Sequence, residues 1–457
     1  MLEQLIDEFT SLPDRKLDRF EFAHIISSLL HDREKAAEAI SEGFNAEKSN
    51  QCKARLALAS LILDDSRPAE ALLTNVKNPT AATLMIHDLP QYWPKERSLV
   101  NVVESLVKTS NIETDDALDG TVDDGLSSEA AANRFDGLLY ALFVSAGEID
   151  VSEIPKEEFE AWARIIKQQF AHNPNSAVHS ACFYLANKWQ IKDMPKLEPT
   201  SRPREGYDWW VVEIMPGHEM TFARVKTGEF PCGKNSRIDF KEQIADNLIK
   251  IDTSFWLATT EVTNKLIRNW LDEDPGSTVH QVIANIKKAS RKFYFLEEAN
   301  SRFPSINLTP QEYQQFVNYL NRNSETDIKF KFAVPDTHQW EYCCRAGSET
   351  AFYWGEYILG NMAEKYGVYE NIRLDDPVAY LEAPGSRIPN RWGFLDIVGN
   401  AAELTLNPDV KQNNVIIRGG NTTEVQNYVS GNNGLNIPTA FRSGTFSVRL
   451  LLEEQVP

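Results

Sequence analysis

Along residues 1–190 apolar side chains recur at helical spacing, separated by short breaks. In LDRFEFAHIISSLL, Leu17, Phe20, Ile25, Ile26, Leu29 and Leu30 follow the rhythm of a helix with one buried stripe. ARLALASLILDD is rich in Ala and Leu, and EEFEAWARIIKQQF sets Phe159, Trp162, Ile165, Ile166 and Phe170 along a single face. Breakers punctuate the pattern at Leu12-Pro13, Arg67-Pro68, Asn78-Pro79, Trp93-Pro94 and Asn173-Pro174. Helices of this length joined by short turns predict an all-α region, either hairpins stacked as an α-solenoid or an irregular bundle. No repeat signature of a named solenoid family is present.

The pattern changes after three prolines, Pro195, Pro199 and Pro203, set among polar residues. The sequence therefore divides into a helical domain over 1–193, a linker over 194–207 and a second domain over 208–457. In the second domain WWVVEI and FARV read as short strands, with Gly228 and Gly233 at turns. Two helices are marked by their caps. Thr309-Pro310-Gln311-Glu312 is a capping box with proline at the first helical position, followed by Tyr313, Phe316, Val317 and Leu320 on one face. Asp336 or Thr337, after Pro335, caps a second helix that carries Trp340 and Tyr342 and stops at Gly347.

Charge narrows the classes of partner. The net charge is -19; residues 1–200 hold 33 acidic and 20 basic side chains, a balance of -13, which leaves -6 for the remainder. Seven acids and no base lie between Asn111 and Ala130, a stretch that reads as a solvated acidic loop near 111–130. An EF-hand starting at Asp115 is excluded, because its twelfth position is Leu126 where a bidentate glutamate is required. Such a balance repels phosphate backbones and argues against direct nucleic-acid binding, while a basic protein partner is compatible with it. No apolar run approaches the length of a membrane span and no leader pattern opens the sequence, so a cytoplasmic, unexported protein is expected. Five scattered cysteines, Cys52, Cys182, Cys232, Cys343 and Cys344, read as buried free thiols rather than a disulfide framework.

Five phrases in the second half carry a resemblance. FARVKTGEFPCG, LATTEVTNKLIRNWL, FAVPDTHQWEYCCRAGSETAFYWG, IPNRWGFLDIVGNAAEL and IIRGG occur in that order between Phe222 and Gly420. In wording and spacing they resemble the formylglycine-generating (sulfatase-modifying factor) family, over Trp209 to Leu451. The resemblance implies a C-type-lectin-like α+β domain with two helices, small antiparallel sheets and long ordered loops. On that view Glu341 and Arg345 are buried polar anchors, and Trp340, Trp354 and Trp392 fill the space between loops. It also implies calcium at the segment Gly399–Glu403, with Asn400 and Glu403 as oxygen donors. The sequence departs from the family there: Leu404 and Ala402 stand where tryptophans are usual. A structural Asn/Glu pair is the alternative.

The family's chemistry requires two thiolates after the RGG phrase, holding a copper ion that activates oxygen; thiolate is the soft ligand that selects monovalent copper. Here Arg418-Gly419-Gly420 is followed by NTTEVQNYVSGNNGLNIPTAFR, and there is no cysteine after Cys344. The closing phrase is Ser447-Val448-Arg449 in place of GFR. The related iron-dependent sulfoxide synthases use a histidine cluster, and none of the eight histidines forms one; His218, His280 and His338, the three in the second domain, lie far apart. The interval from Arg418 to Arg449 is similar in layout to variable proteins of diversity-generating retroelements, which present ligand-contacting asparagines there. Seven asparagines fall between Asn413 and Asn436. The candidate partner-binding residues are Asn421, Glu424, Asn427, Tyr428, Asn432 and Asn433. The expected function is a non-catalytic adaptor for a protein partner, which by family analogy belongs to a bacterial defence operon (CRISPR-associated or similar) or a regulatory one. A sulfatase-modifying oxidase or iron relative with a rearranged metal site is the rival. Calcium-dependent carbohydrate binding is a third reading, without a Glu-Pro-Asn or Gln-Pro-Asp triplet to support it.

Overall fold

The computed structural model describes residues 18–47, 49–95, 97–118, 128–233, 247–275, 279–280, 300–323, 329–356, 362–368, 381–408, 414–421 and 434–454. The chain separates into two compact units. The first comprises Met1–His172, Leu185–Met194 and Trp354–Glu356; the second comprises Asn173–Tyr184, Pro195–Tyr353 and Tyr357–Pro457.

The first unit is helical: α1 (Arg19–Leu29), α2 (Arg33–Ala46), α3 (Asn50–Ile62), α4 (Arg67–Thr74), α5 (Thr80–Tyr92), α6 (Leu99–Leu118), α7 (Ser128–Ala146) and α8 (Lys156–His172). Helix α9 (Ser176–Lys188) is shared between the two units. At the start of α1, Asp18 accepts from the backbone N–H of Phe20 and Glu21, while Glu21 reaches back to the Asp18 N–H. The buried face of α1 is Phe22, Ile25, Ile26 and Leu29, whereas Phe20 is 84% exposed. The stripe thus starts two positions later than the sequence reading placed it, at Phe22 rather than Phe20. Two phenylalanines two apart cannot share a helix face, and the i, i+3, i+4, i+7 set from Phe22 is the one that closes. Helix α3 is buried nearly all round and packs against α2, α4 and α5, which its almost wholly apolar LALASLI run permits. Further packing joins α5 and α4 to α7, α1 to α5, and α6 to α7 and α8. Helix α6 continues through the acidic residues as far as Leu118. Of the stretch expected as an acidic loop near 111–130, residues 111–118 and 128–130 are therefore helical, and no glycine or proline falls between Leu99 and Leu118 to interrupt the helix; the rest lies outside the described residues.

The second unit is α+β. A five-stranded antiparallel sheet has the order β1 (Trp209–Met215), β2 (His218–Val225), β5 (Phe255–Ala258), β11 (Leu451–Glu454), β6 (Phe330–Ala333). A hairpin pairs β3 (Gly228–Cys232) with β4 (Asn247–Ile251). A four-stranded sheet has the order β10 (Phe446–Ser447), β7 (Ala402–Thr405), β8 (Asn414–Arg418), β9 (Gly434–Pro438). Between them run α10 (Asn264–Glu273), α11 (Pro310–Asn323), α12 (Thr337–Arg345) and the short α13 (Met362–Tyr366). The capping box at Thr309 forms as read, and of the two candidates for the second cap Asp336 is the N-cap, with a capping box of its own. Thr309 and Glu312 bond each other's backbone N–H, and so do Asp336 and Gln339. Helix α12 ends on Ala346 and Gly347, both left-handed.

The core of this unit joins Trp210, Phe222, Trp270, Tyr313, Phe316, Leu404, Phe446 and Leu452, which places α10 and α11 against both larger sheets. Helix α10 is an addition to the two predicted helices; Leu266, Ile267, Trp270 and Leu271 supply its buried face. Trp340 and Trp354 are buried as expected, while Trp392 is only half-buried. The first turns of α9 belong to this unit: the Ser176 and Ser180 hydroxyls donate to the carbonyls of Trp392 and Gly393, and His179 stacks on Trp209 at 4.1 Å.

Candidate functional site

The segment singled out by its asparagines grows from β8 and returns as β9. Arg418 and Gly434 are paired across the ladder, so residues 419–433 leave and re-enter the sheet at one point. Gly419 makes the exit. Its φ is +86°, and a Cβ there would lie 2.9 Å from the Ile397 carbonyl and 3.1 Å from the Trp340 ring. The Gly419 carbonyl accepts from the Gly399 N–H at 2.8 Å, tying the exit to the loop before β7. Strand β9 is the edge of its sheet, and Leu435, next to the loop, is 59% exposed. Of the candidate partner-binding residues, Asn421 is buried at the base of the loop. Glu424, Asn427, Tyr428, Asn432 and Asn433 lie outside the described residues.

Beneath the exit, Arg418 turns inward. Its Nε donates to the Thr337 hydroxyl at 2.6 Å, and its Nη2 lies 3.6 Å from the Glu341 carboxylate. Glu341 also accepts from Arg345 Nε at 2.9 Å and from the Gly233 N–H at 2.9 Å. The expected Glu341–Arg345 anchor is therefore real, and Arg418 joins it from the RGG phrase. The Cys232 thiol donates to Glu341 Oε2 at 3.3 Å, and burial, then Glu341, push its pKa up to about 12. Burial also raises the pKa of Cys343 and Cys344, which makes all three thiols poor nucleophiles at neutral pH.

A second polar cluster lies under β7. Glu403 accepts from Arg449 through Nε at 3.1 and 3.0 Å and through Nη2 at 2.6 Å, and from the Trp340 indole N–H at 2.6 Å. Arg449 completes its donors on the carbonyls of Ala258 and Leu395. Asn400, at φ +54°, accepts the Glu382 N–H on its Oδ1, which fixes the orientation of its amide; Nδ2 then donates to Glu261 Oε1 at 3.1 Å. Glu261 and Asp396 complete the cluster. Burial, then the neighbouring Asp396, hold Glu261 well above the usual carboxylate range, and burial raises Asp396 to about 6. Glu261 Oε2 has no hydrogen-bond partner among the described residues, as suits a carboxyl kept neutral. Asp396 accepts from the backbone N–H of Gly385 and Arg387 and from the Ser386 hydroxyl, gathering one loop onto a single carboxylate.

Calcium on Asn400 and Glu403 does not fit this donor set. Calcium takes six to eight oxygens at about 2.4 Å. Here both Glu403 oxygens face cationic or indole donors, and the Asn400 oxygen is held by a backbone N–H. Among the described residues no three His, Cys, Asp or Glu side chains converge as a metal set. As they stand, the two residues fasten the loop before β7 to β11 and to the segment that follows residue 380. Glu261 and Asp396 were missed in the sequence. The available signal was clear only for Asp396, whose carboxylate sits inside the otherwise apolar phrase GFLDIV; Glu261 follows two threonines in LATTEV.

No curated protein sequence matches the chain. Among solved structures, variable protein 1 of Treponema denticola has 15% identity and a TM-score of 0.40, covering 53% of this chain and 98% of its own. PvdO from Pseudomonas aeruginosa has 16% identity and a TM-score of 0.41, covering 53% and 97%. CarF has 15% identity and a TM-score of 0.37, covering 52% and 99%. The family described as the sulfatase-modifying factor enzyme 1-like domain matches residues 215–450. With more than half of its length so matched, the chain belongs to the FGE-sulfatase (formylglycine-generating-enzyme-like) family.

Proposed function

We propose that the chain is a non-catalytic member of this family that works as an adaptor, binding a protein partner through the loop between β8 and β9. One observation carries the reading: the interval after Arg418-Gly419-Gly420 contains neither cysteine nor histidine. A copper-dependent oxidase needs soft sulfur donors at that place, and no oxygen or amide side chain replaces them. All five cysteines precede the RGG phrase and are buried. What the scaffold offers instead is a loop closed at its base by the Arg418–Gly434 pair, beside an edge strand with Leu435 exposed. Loops on a rigid scaffold are the usual place for recognition.

The partner is expected to be a protein, with no direct nucleic-acid contact, in a bacterial defence or regulatory setting. Among the described residues no helix is long and apolar enough to cross a membrane. The test is affinity purification of the full chain from its native host, alongside a variant with Asn427→Ala, Tyr428→Ala and Asn432→Ala. A protein recovered in stoichiometric amount with the parent and lost with the variant supports the reading. Equal recovery with both, or none with either, removes it.

A further inference from the structure

Strands at the margin of a sheet leave N–H and C=O groups unpaired, and folds guard them. In the second unit β6, an outer strand of the five-stranded sheet, is closed by the Asn321 amide in place of a further strand. Asn321 Nδ2 donates to the Phe332 carbonyl and its Oδ1 accepts the Phe332 N–H, both at 2.8 Å. At the opposite margin the Thr200 N–H donates to the Val211 carbonyl of β1 at 3.1 Å. Each of these two strands also includes a charged residue, Lys331 and Glu213, and so do the hairpin strands, with Glu229 and Lys250. Strand β10 is only two residues long. Strand β9 has none of these guards. It reads Gly-Leu-Asn-Ile-Pro over Gly434–Pro438, without a charge, and its one strand partner among the described residues is β8. No side chain or loop caps Leu435 to Ile437 among the described residues.

We infer that β9 receives an extended segment of the partner protein as a further strand of its sheet. The inference rests on the adaptor reading and deepens it: β9 begins at Gly434, where the proposed recognition loop re-enters. Alternate residues of an edge strand turn N–H and C=O outward, a demand that another strand meets along its whole length. The side chains ask for the same occupant. Leu404, Ile417 and Leu435 form one cross-strand row on the core face, in which the first two are buried and Leu435 is exposed. An apolar side chain on an added strand covers Leu435 and continues the row. Asn436 faces the opposite side, so the incoming segment alternates apolar and polar residues. A second copy of this chain is a poor occupant. Two β9 strands would meet over five residues, each with a proline that lacks a donor, and would bring together two chains of net charge -19.

The test uses the full chain and a fluorescent peptide, Lys-Thr-Val-Thr-Val-Thr-Val-Lys, titrated by anisotropy, with amide hydrogen exchange read by mass spectrometry. A Kd of about 0.5 mM is expected, with exchange across residues 434–437 slowed about tenfold near saturation. The same peptide N-methylated at its central four residues keeps its charge but has no donors for either edge. It should bind at least about tenfold more weakly. Leu435→Lys places a guard on the edge at an exposed position; it should weaken the unmodified peptide about tenfold while circular dichroism shows an unaltered fold. Four results overturn the inference: no binding at about 5 mM, equal binding of the N-methylated peptide, equal binding by Leu435→Lys, or protection at β1, β4 or β6 instead of β9. The peptide needs no partner, so its failure is separate from that of the adaptor reading. Conversely, a partner lost from the purification with the Asn427, Tyr428 and Asn432 variant but retained with Leu435→Lys would uphold the adaptor and remove the added strand.

Discussion

Replacing Glu403 with glutamine tests the polar centre of the second unit. The carboxylate accepts from Arg449 at 2.6, 3.0 and 3.1 Å and from the Trp340 indole at 2.6 Å. Side-chain exposures of Arg449 and Glu403 are 0% and 1%. Glutamine keeps the shape but brings an NH₂ group, and in either orientation that group faces a donor, the guanidinium or the indole. Removing one partner of a buried, hydrogen-bonded ion pair costs about 3–5 kcal/mol, because the other charge stays buried and underpaired. The denaturation midpoint should fall by about 10 °C, at roughly 2–4 °C per kcal/mol for a unit of this size. Urea unfolding of Glu403→Gln, Arg449→Met and the double variant completes the cycle. The double variant should recover at least about 2 kcal/mol of the summed loss, the signature of a direct interaction. A cost below about 1 kcal/mol for Glu403→Gln, with no coupling to Arg449, would refute the reasoning.

Three further outcomes are expected. Glu261 and Asp396 have pKa values above their unfolded ones, so the folded unit holds protons that the unfolded chain releases. Their contribution is full below the ordinary carboxylate range and is lost as pH rises through their raised folded values, about 6 for Asp396. Stability measured from pH 4 to 8 should therefore fall more steeply in the parent than in Glu261→Gln, and an equal slope in both would show that Glu261 is ionised in the fold. Gly419→Ala should cost about 2 kcal/mol by urea unfolding, since φ +86° and the Ile397 carbonyl both resist a Cβ. Finally, the five cysteines are all buried, so a thiol reagent should label the native protein slowly and the denatured protein fully; rapid labelling of Cys232 in the native state would contradict its placement under Glu341.

Much of this architecture was legible because local signals and tertiary demands agree. Asp336 and Thr309 announce their helices by hydrogen-bond chemistry that depends on only three following residues. The five phrases identified the second domain because long loops need specific buried partners, and Glu341, Arg345 and Trp340 are such partners. Legibility ended where the partner is distant. The family resemblance pointed Asn400 and Glu403 toward calcium, whereas Glu403 pairs with Arg449, 46 residues on, which no local window shows. Helix α10 carried an unmistakable apolar face in LIRNWL but lacks a side-chain hydrogen bond at its cap, Thr263, so the capping criterion passed over it. In α1 the spacing did contain the answer, since Phe22 and not Phe20 completes the i, i+3, i+4, i+7 set with Ile25, Ile26 and Leu29.

The most direct measurement for the central claim is titration of the full, reduced chain with Cu(I) under anaerobic conditions, using a competing chelator as the readout. A scaffold with no sulfur donors after Gly420 should show no stoichiometric site, only weak uptake that a chelator reverses. A one-to-one complex that resists the competitor, accompanied by conversion of a cysteine peptide to formylglycine in air, would contradict it.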